Sequence, residues 1–302
     1  MAKHAAQTSK PARKRPSRRG GWRRLVAILL SLTLAIVLFA AGFFACAAPI
    51  STRVLTSMTG QFDTTPYLPD KLVDLSVATR DFTVDMHLEG NDAASYKLAD
   101  QVMEAAIESA NPASPKNGSW IYAFDWREVK DMREADDYDA LAEMYALAHV
   151  SAVYALDEDA IVHLIDCNNL IRSAMPIIAG CALVALICII ILRRSRLLLG
   201  QALIAAPLVL LVAMLALGAW AALDFNGFFG AFHAVLFPQG NWTFPSDSLL
   251  ICMLPQGFWM GMGVIWLTAT VLACIIAVLV GRRFVRSVRN ARPDAVVRRA
   301  SV

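Results

Sequence analysis

Four long runs of the sequence carry no charged side chain: Leu25–Ser51, Ser173–Leu192, Leu197–Leu223 and Gln256–Gly281. About 20 apolar residues take an α-helix across the hydrocarbon core of a bilayer, where the backbone must satisfy its own hydrogen bonds. Each run is long enough to do so. They predict a membrane all-α protein with four transmembrane helices. A content of 57% hydrophobic residues excludes a purely soluble domain.

Charge then orients the spans. Of the 28 Lys and Arg, nine lie in Lys3–Arg24, three in Arg193–Arg196 and seven in Arg282–Arg299, whereas 22 of the 25 Asp and Glu fall between Asp63 and Asp166. Each basic cluster abuts a span, which marks it as a topology signal rather than a nucleic-acid patch. Both termini are therefore expected in the cytoplasm. Residues 1–21 and 282–302 are basic tails, and the spans are 22–51, 173–192, 197–223 and 257–281. Residues 52–172 form an extracytoplasmic acidic head and 224–256 an extracytoplasmic aromatic loop. The first span has a core longer than a signal-peptide h-region, and Phe43 suits neither a leader cleavage site nor a lipobox ending at Cys46.

The head is expected to be α+β or mainly helical. Phe82-Thr83-Val84 and Trp120-Ile121-Tyr122-Ala123-Phe124 read as strands, with Asn111–Ser119 a turn between them. Leu98–Ser109 and Tyr138–Ala155 have helical spacing, the second starting near Asp137 or Asp139. Cys46, Cys167 and Cys252 are placed near the outer face, where a Cys167–Cys252 bridge is compatible with the topology.

Seven aromatics crowd into Phe225–Phe244, and Asp247 is the one charged residue of Phe225–Trp259. This loop is expected to lie against the membrane surface, as Phe and Trp favour the interface. His233 sits in its middle. His163 precedes the second span and should occupy a similar depth. If that stretch is helical, Asp166 lies one turn from His163, where it can orient the ring and support its charged form. Two imidazoles and a carboxylate at the head-group plane suit general acid–base chemistry near neutral pH. The same three groups can also hold a metal at an open site. His87 and His149, in the head, read as ordinary structural or surface histidines, and His4 lies in the tail.

No serine-hydrolase elbow, zinc-protease helix, phosphate loop or dinucleotide fingerprint occurs. Any chemistry should therefore use a nucleophile from the substrate. No cofactor is implied. A rival reading is a non-enzymatic integral membrane envelope protein whose acidic head binds an extracytoplasmic partner.

Two elements carry a family resemblance. One is His163-Leu164-x-Asp166 before a span; the other runs Phe232-His233…Phe237…Asn241-Trp242-x-Phe244…Asp247…Leu249…Pro255…Phe258 between the last two spans. Together they resemble the bacterial integral membrane proteins that include the lipoprotein intramolecular transacylases, over roughly residues 155–280. The resemblance implies a four-helix enzyme acting on diacylated lipoproteins. It would move the sn-2 acyl chain of diacylglyceryl-cysteine to that cysteine's α-amine. It puts catalysis on His163 and His233, with Asp166 in support, and substrate binding on Phe232, Phe237, Asn241, Trp242 and Asp247. Cys167 stands where Val is expected, and the acidic head is long for the group.

Overall fold

The computed structural model describes residues 18–120, 125–134 and 138–300. Four helices form its long axis: α1 (Arg18–Cys46), α7 (Glu158–Leu192), α8 (Arg196–Leu223) and α11 (Gln256–Ala300). Each is long and apolar enough to cross a membrane. α1 packs against the other three, and α8 lies along α11. Leu30, Leu192, Ala202, Ala206 and Cys274 fill the seams. Leu32, Leu183, Val212 and Ile276 point outward, as lipid-facing side chains do.

One crossing depends on glycine. A Cβ on Gly200 would lie 2.7 Å from the Gly281 carbonyl oxygen, and one on Gly281 would lie 2.8 Å from that of Gly200. Bare backbones at both positions let α8 and α11 touch directly.

α7 has 35 residues. At 1.5 Å per residue that is about 50 Å, against a hydrocarbon core of about 30 Å. Its charge-free part, 173–192, is by itself long enough to span. The turns before it, with Asp159, Asp166 and Arg172, stand above the span and join the head. At the opposite end of the bundle Arg23 donates to Ser195 Oγ at 2.9 Å. The start of α1 and the α7–α8 turn therefore share that end.

The head is built from α2 (Pro49–Thr59), α3 (Pro69–Val84), α4 (Asn91–Ala110), α5 (Trp126–Glu134), α6 (Ala140–Val150) and a 3-10 turn at Asn117–Ser119. Tyr67, Leu72, Leu98, Val102, Trp120 and Met144 are at its core. Tyr67 Oη donates to the Tyr154 carbonyl at 2.6 Å, and Trp120 Nε1 donates to that of Pro66 at 3.2 Å. Two buried aromatics thus satisfy their polar ends on the backbone. α1 stops at Cys46, short of Ser51, because Pro49 opens α2 at a position that favours proline.

Among the described residues the head has no strand, so the mainly helical form is the observed one. Phe82-Thr83-Val84 is the last turn of α3. Phe82 is buried in helical register with Leu72, Leu75 and Thr79, and that packing outweighs the strand preference of Thr and Val. Ile121–Phe124 and Asp137 lie outside the described residues. Asp139 caps α6, accepting from the amides of Leu141 and Ala142.

The stretch read as an aromatic loop contains α9 (Phe225–Leu236) and the short α10 (Leu249–Met253). Asp224 caps α9, its carboxylate accepting from Gly227 N at 2.8 Å. Leu249 N donates to the Ala152 carbonyl at 2.8 Å, and Thr56 Oγ1 donates to that of Met253 at 3.2 Å. These bonds fasten α10 to the head.

Candidate active site

α9 presents Phe225, Phe229, His233 and, just past its end, Phe237 at intervals of four residues, so all four fall on one side. That side turns inward. His233 is 8% exposed and Phe237 5%, while Phe232 and Val235 on the other side are open. The first turns of α7 bring up His163, which is 7% exposed.

The two imidazoles face each other with ring centroids 6.1 Å apart and planes 31° from parallel. Aromatic side chains enclose them. Phe237 lies 4.8 Å from His163 and 5.7 Å from His233, and Phe244 is 5.7 Å from His163. Trp242 lies 5.2 Å from His233, tilted by 37°, and Phe229 lies 3.9 Å from it.

The ring nitrogens have distinct surroundings. His233 Nδ1 is 2.8 Å from the Phe229 carbonyl oxygen. A carbonyl only accepts, so Nδ1 carries the hydrogen and the lone pair of neutral His233 is on Nε2. His163 Nε2 is 3.6 Å from Cys167 Sγ, and its Nδ1 is buried without a partner.

Burial holds both imidazoles neutral. His163 is pulled down to about 4 by desolvation and then by His233, with Asp166 opposing weakly. His233 is lowered by desolvation, opposed by its bond to Phe229. Asp166 does favour a charged His163, as expected, but desolvation outweighs the carboxylate and the ring is neutral.

Asp166 does not orient the ring. Its Oδ2 accepts from Gln239 Nε2 at 2.7 Å and Asn241 Nδ2 at 3.2 Å. The carboxylate instead clamps α7 to the segment after α9, which carries Phe237, Trp242 and Phe244. Of the expected binding residues, Phe237 and Trp242 contact the imidazoles, Asn241 holds Asp166, and Phe232 is 5.5 Å from His233 and half exposed. Asp247 stands apart, exposed before α10. Phe229 and Gln239 were not anticipated. The four-residue aromatic interval would have pointed to Phe229.

Other expectations resolve plainly. Cys167 and Cys252 are free thiols, one facing His163 and the other the carbonyl of Asp247. His87 donates from Nε2 to the Phe82 carbonyl at 2.7 Å, closing the end of α3, and His149 is exposed at the end of α6. Among the described residues no group of three His, Cys, Asp or Glu is placed to hold a metal ion.

A sequence profile described as lipoprotein intramolecular transacylase Lit matches residues 129–259, the stretch that carries both histidines. Over this stretch the chain is similar to that family. The membrane integral lipoprotein intramolecular transacylase Lit from Bacillus cereus superposes with a TM-score of 0.63 at 15% identity, covering 89% of this chain and 99% of that one. Two variants of it, with one histidine changed to arginine or alanine, give TM-scores of 0.60 at 15% identity, covering 90% of this chain and 96% and 97% of theirs. Identity this low carries the fold alone. Comparison with curated proteins finds no match. The Lit-like match and the four apolar helices make this a multi-pass membrane protein.

Proposed function

We propose that the chain is a lipoprotein intramolecular acyltransferase with its site on the outer face of a cytoplasmic membrane. The head and α9 would lie outside, with both termini and the Arg193–Arg196 turn inside. The three basic clusters favour that orientation. The observation that carries the reading is the pair of enclosed, neutral imidazoles 6.1 Å apart above the spans.

The substrate would be a diacylglyceryl-cysteine at a lipoprotein N-terminus. Its α-amine has a pKa of about 7.7–8.0, so most of it is protonated at neutral pH and cannot attack an ester. His233 Nε2, whose lone pair is fixed by the bond from Nδ1, would take that proton as general base. The free amine attacks the sn-2 carbonyl, and the C–N bond forms as the C–O bond to glycerol breaks. His163 would hydrogen-bond the developing oxyanion. His233 passes that first proton to water, takes the second from the nitrogen once it is bonded to the carbonyl carbon, and delivers it to the departing glycerol oxygen, so the nitrogen ends as a neutral amide. The product is an N-acyl, monoacylglyceryl-cysteine. Amine and ester belong to one molecule, so positioning supplies several kcal/mol of the barrier and no enzyme nucleophile is required.

The remaining residues divide by location. Phe237 and Trp242 would press the head group onto the imidazoles, and Asn241 would hold Asp166 in place. Phe232, open to the membrane, would contact the acyl chains, while Asp247 would meet the ammonium group at the rim.

The test mixes a deuterated diacylated lipoprotein with an unlabelled one and adds the purified protein. Mass spectrometry should find each α-amine carrying a chain from its own glycerol. Chains exchanged between the two pools would overturn the intramolecular step. Unaltered substrates would overturn the transferase and favour a head that binds a partner.

A further inference from the structure

Cys167 is the thiol at the site that acyl transfer leaves unused. It follows His163 by one turn of α7, with Sγ 3.6 Å from the ring's Nε2. Such a pair has two chemical uses. In the first, His163 takes the thiol proton and the thiolate attacks the ester. The local electrostatics disfavour this. Burial and then Asp166 raise the thiol to about 12, and His163 is held down to about 4. Proton transfer from the thiol to the ring is therefore strongly uphill. Buried thiols of this kind are inert.

The second use keeps the thiol protonated. A neutral imidazole nitrogen is a good acceptor and a thiol sulfur a poor one, so S–H to N is the better of the two directions. We propose that Cys167 is a positioning residue: its S–H donates to Nε2 of His163, which places the ring's own hydrogen on Nδ1. That nitrogen is buried with no protein partner on a ring only 7% exposed. A buried donor left unpaired is costly, so it is suited to a group that arrives with the substrate. The two histidines then present opposite functions. His233 offers a lone pair on Nε2 for the amine proton, and His163 offers N–H on Nδ1 for the carbonyl oxygen. What Nδ1–H meets rests on the acyltransferase reading; where the hydrogen sits does not. Val, the residue the resemblance leads one to expect at this position, has no donor and could not make this bond.

The test is 15N-histidine NMR of the full-length protein in micelles, with His163 assigned by its loss in His163→Gln. Wild type should show Nδ1 protonated and Nε2 bare, and Cys167→Ser, which keeps a donor, should show the same. Cys167→Ala should shift toward the Nε2–H form that free imidazoles favour. It should also slow chain transfer about fivefold at unchanged KM. Nε2–H in wild type, or no tautomer change in Cys167→Ala, would overturn the proposal. So would a substrate thioester on Cys167. If wild type moves no acyl chain, the acyltransferase reading fails while the NMR result still decides the role of Cys167.

Discussion

His233 donates its Nδ1 hydrogen to the carbonyl of Phe229, one turn earlier on α9, at 2.8 Å. The bond converts an imidazole with two interchangeable nitrogens into a base with a single defined lone pair. Replacing His233 by Ala should therefore lower acyl transfer by about 10²–10⁴-fold, the range for removing a positioned general base. Initial rates on a diacylated peptide measure this, and an unchanged thermal midpoint would show that the fold is intact.

The neutral state of the pair sets a pH window for stability. In the unfolded chain an imidazole takes up its proton near pH 6.5, whereas burial lowers His233 and holds His163 to about 4 in the fold. As pH falls from 6.5 towards 4, the unfolded chain binds protons that the folded chain does not, and stability is lost. Above that window the pair adds no pH dependence. The thermal midpoint of wild type should fall across pH 6.5 to 4.5. His163→Leu, which has one buried imidazole fewer, should fall less steeply. Parallel curves would contradict the shift.

The Asp166 clamp predicts non-additive mutations. Asp166→Ala and Gln239→Ala should each slow transfer by about tenfold, since a misplaced Phe237–Phe244 segment spoils the alignment of substrate with the imidazoles. The double variant should be little worse than Asp166→Ala alone, because that change already removes the bond to Gln239. Additive losses would mean that Asp166 acts elsewhere, for instance on His163.

A Cβ at Gly200 or Gly281 would meet the facing backbone carbonyl, which, unlike the nearby Val285 and Ile204 side chains, cannot rotate aside. Ala at either position should destabilise the bundle by about 1–3 kcal/mol, as overpacking does. A Cβ at Gly263 meets nothing within 4 Å, so Gly263→Ala should be neutral or slightly stabilising. Thermal unfolding in detergent compares the three.

The spans were legible because a charge-free run of 20 residues or more has few other readings. The two histidines were legible because ionisable groups beside a membrane are scarce. The partners of Asp166 were not. Its spacing from His163 was correct for a helix, but the carboxylate is taken by Gln239 and Asn241, which lie 73 and 75 residues away in the chain. No local pattern encodes that pairing. α9 is masked because its dense aromatics resemble an interfacial anchor, although Phe225, Phe229, His233 and Phe237 recur every four residues. Phe82–Val84 misled through β-branched propensity, which the buried face of α3 overrode.

The most direct measurement follows an isotopic label placed only in the sn-2 acyl chain of a diacylated model lipoprotein. The purified protein and its His233→Ala form are compared by fragment mass spectrometry. Wild type should move the label from glycerol to the cysteine α-amine without changing the total mass, and the variant should leave it on glycerol. A label that stays on glycerol with well-folded wild type, or that moves equally well in the variant, would contradict the account.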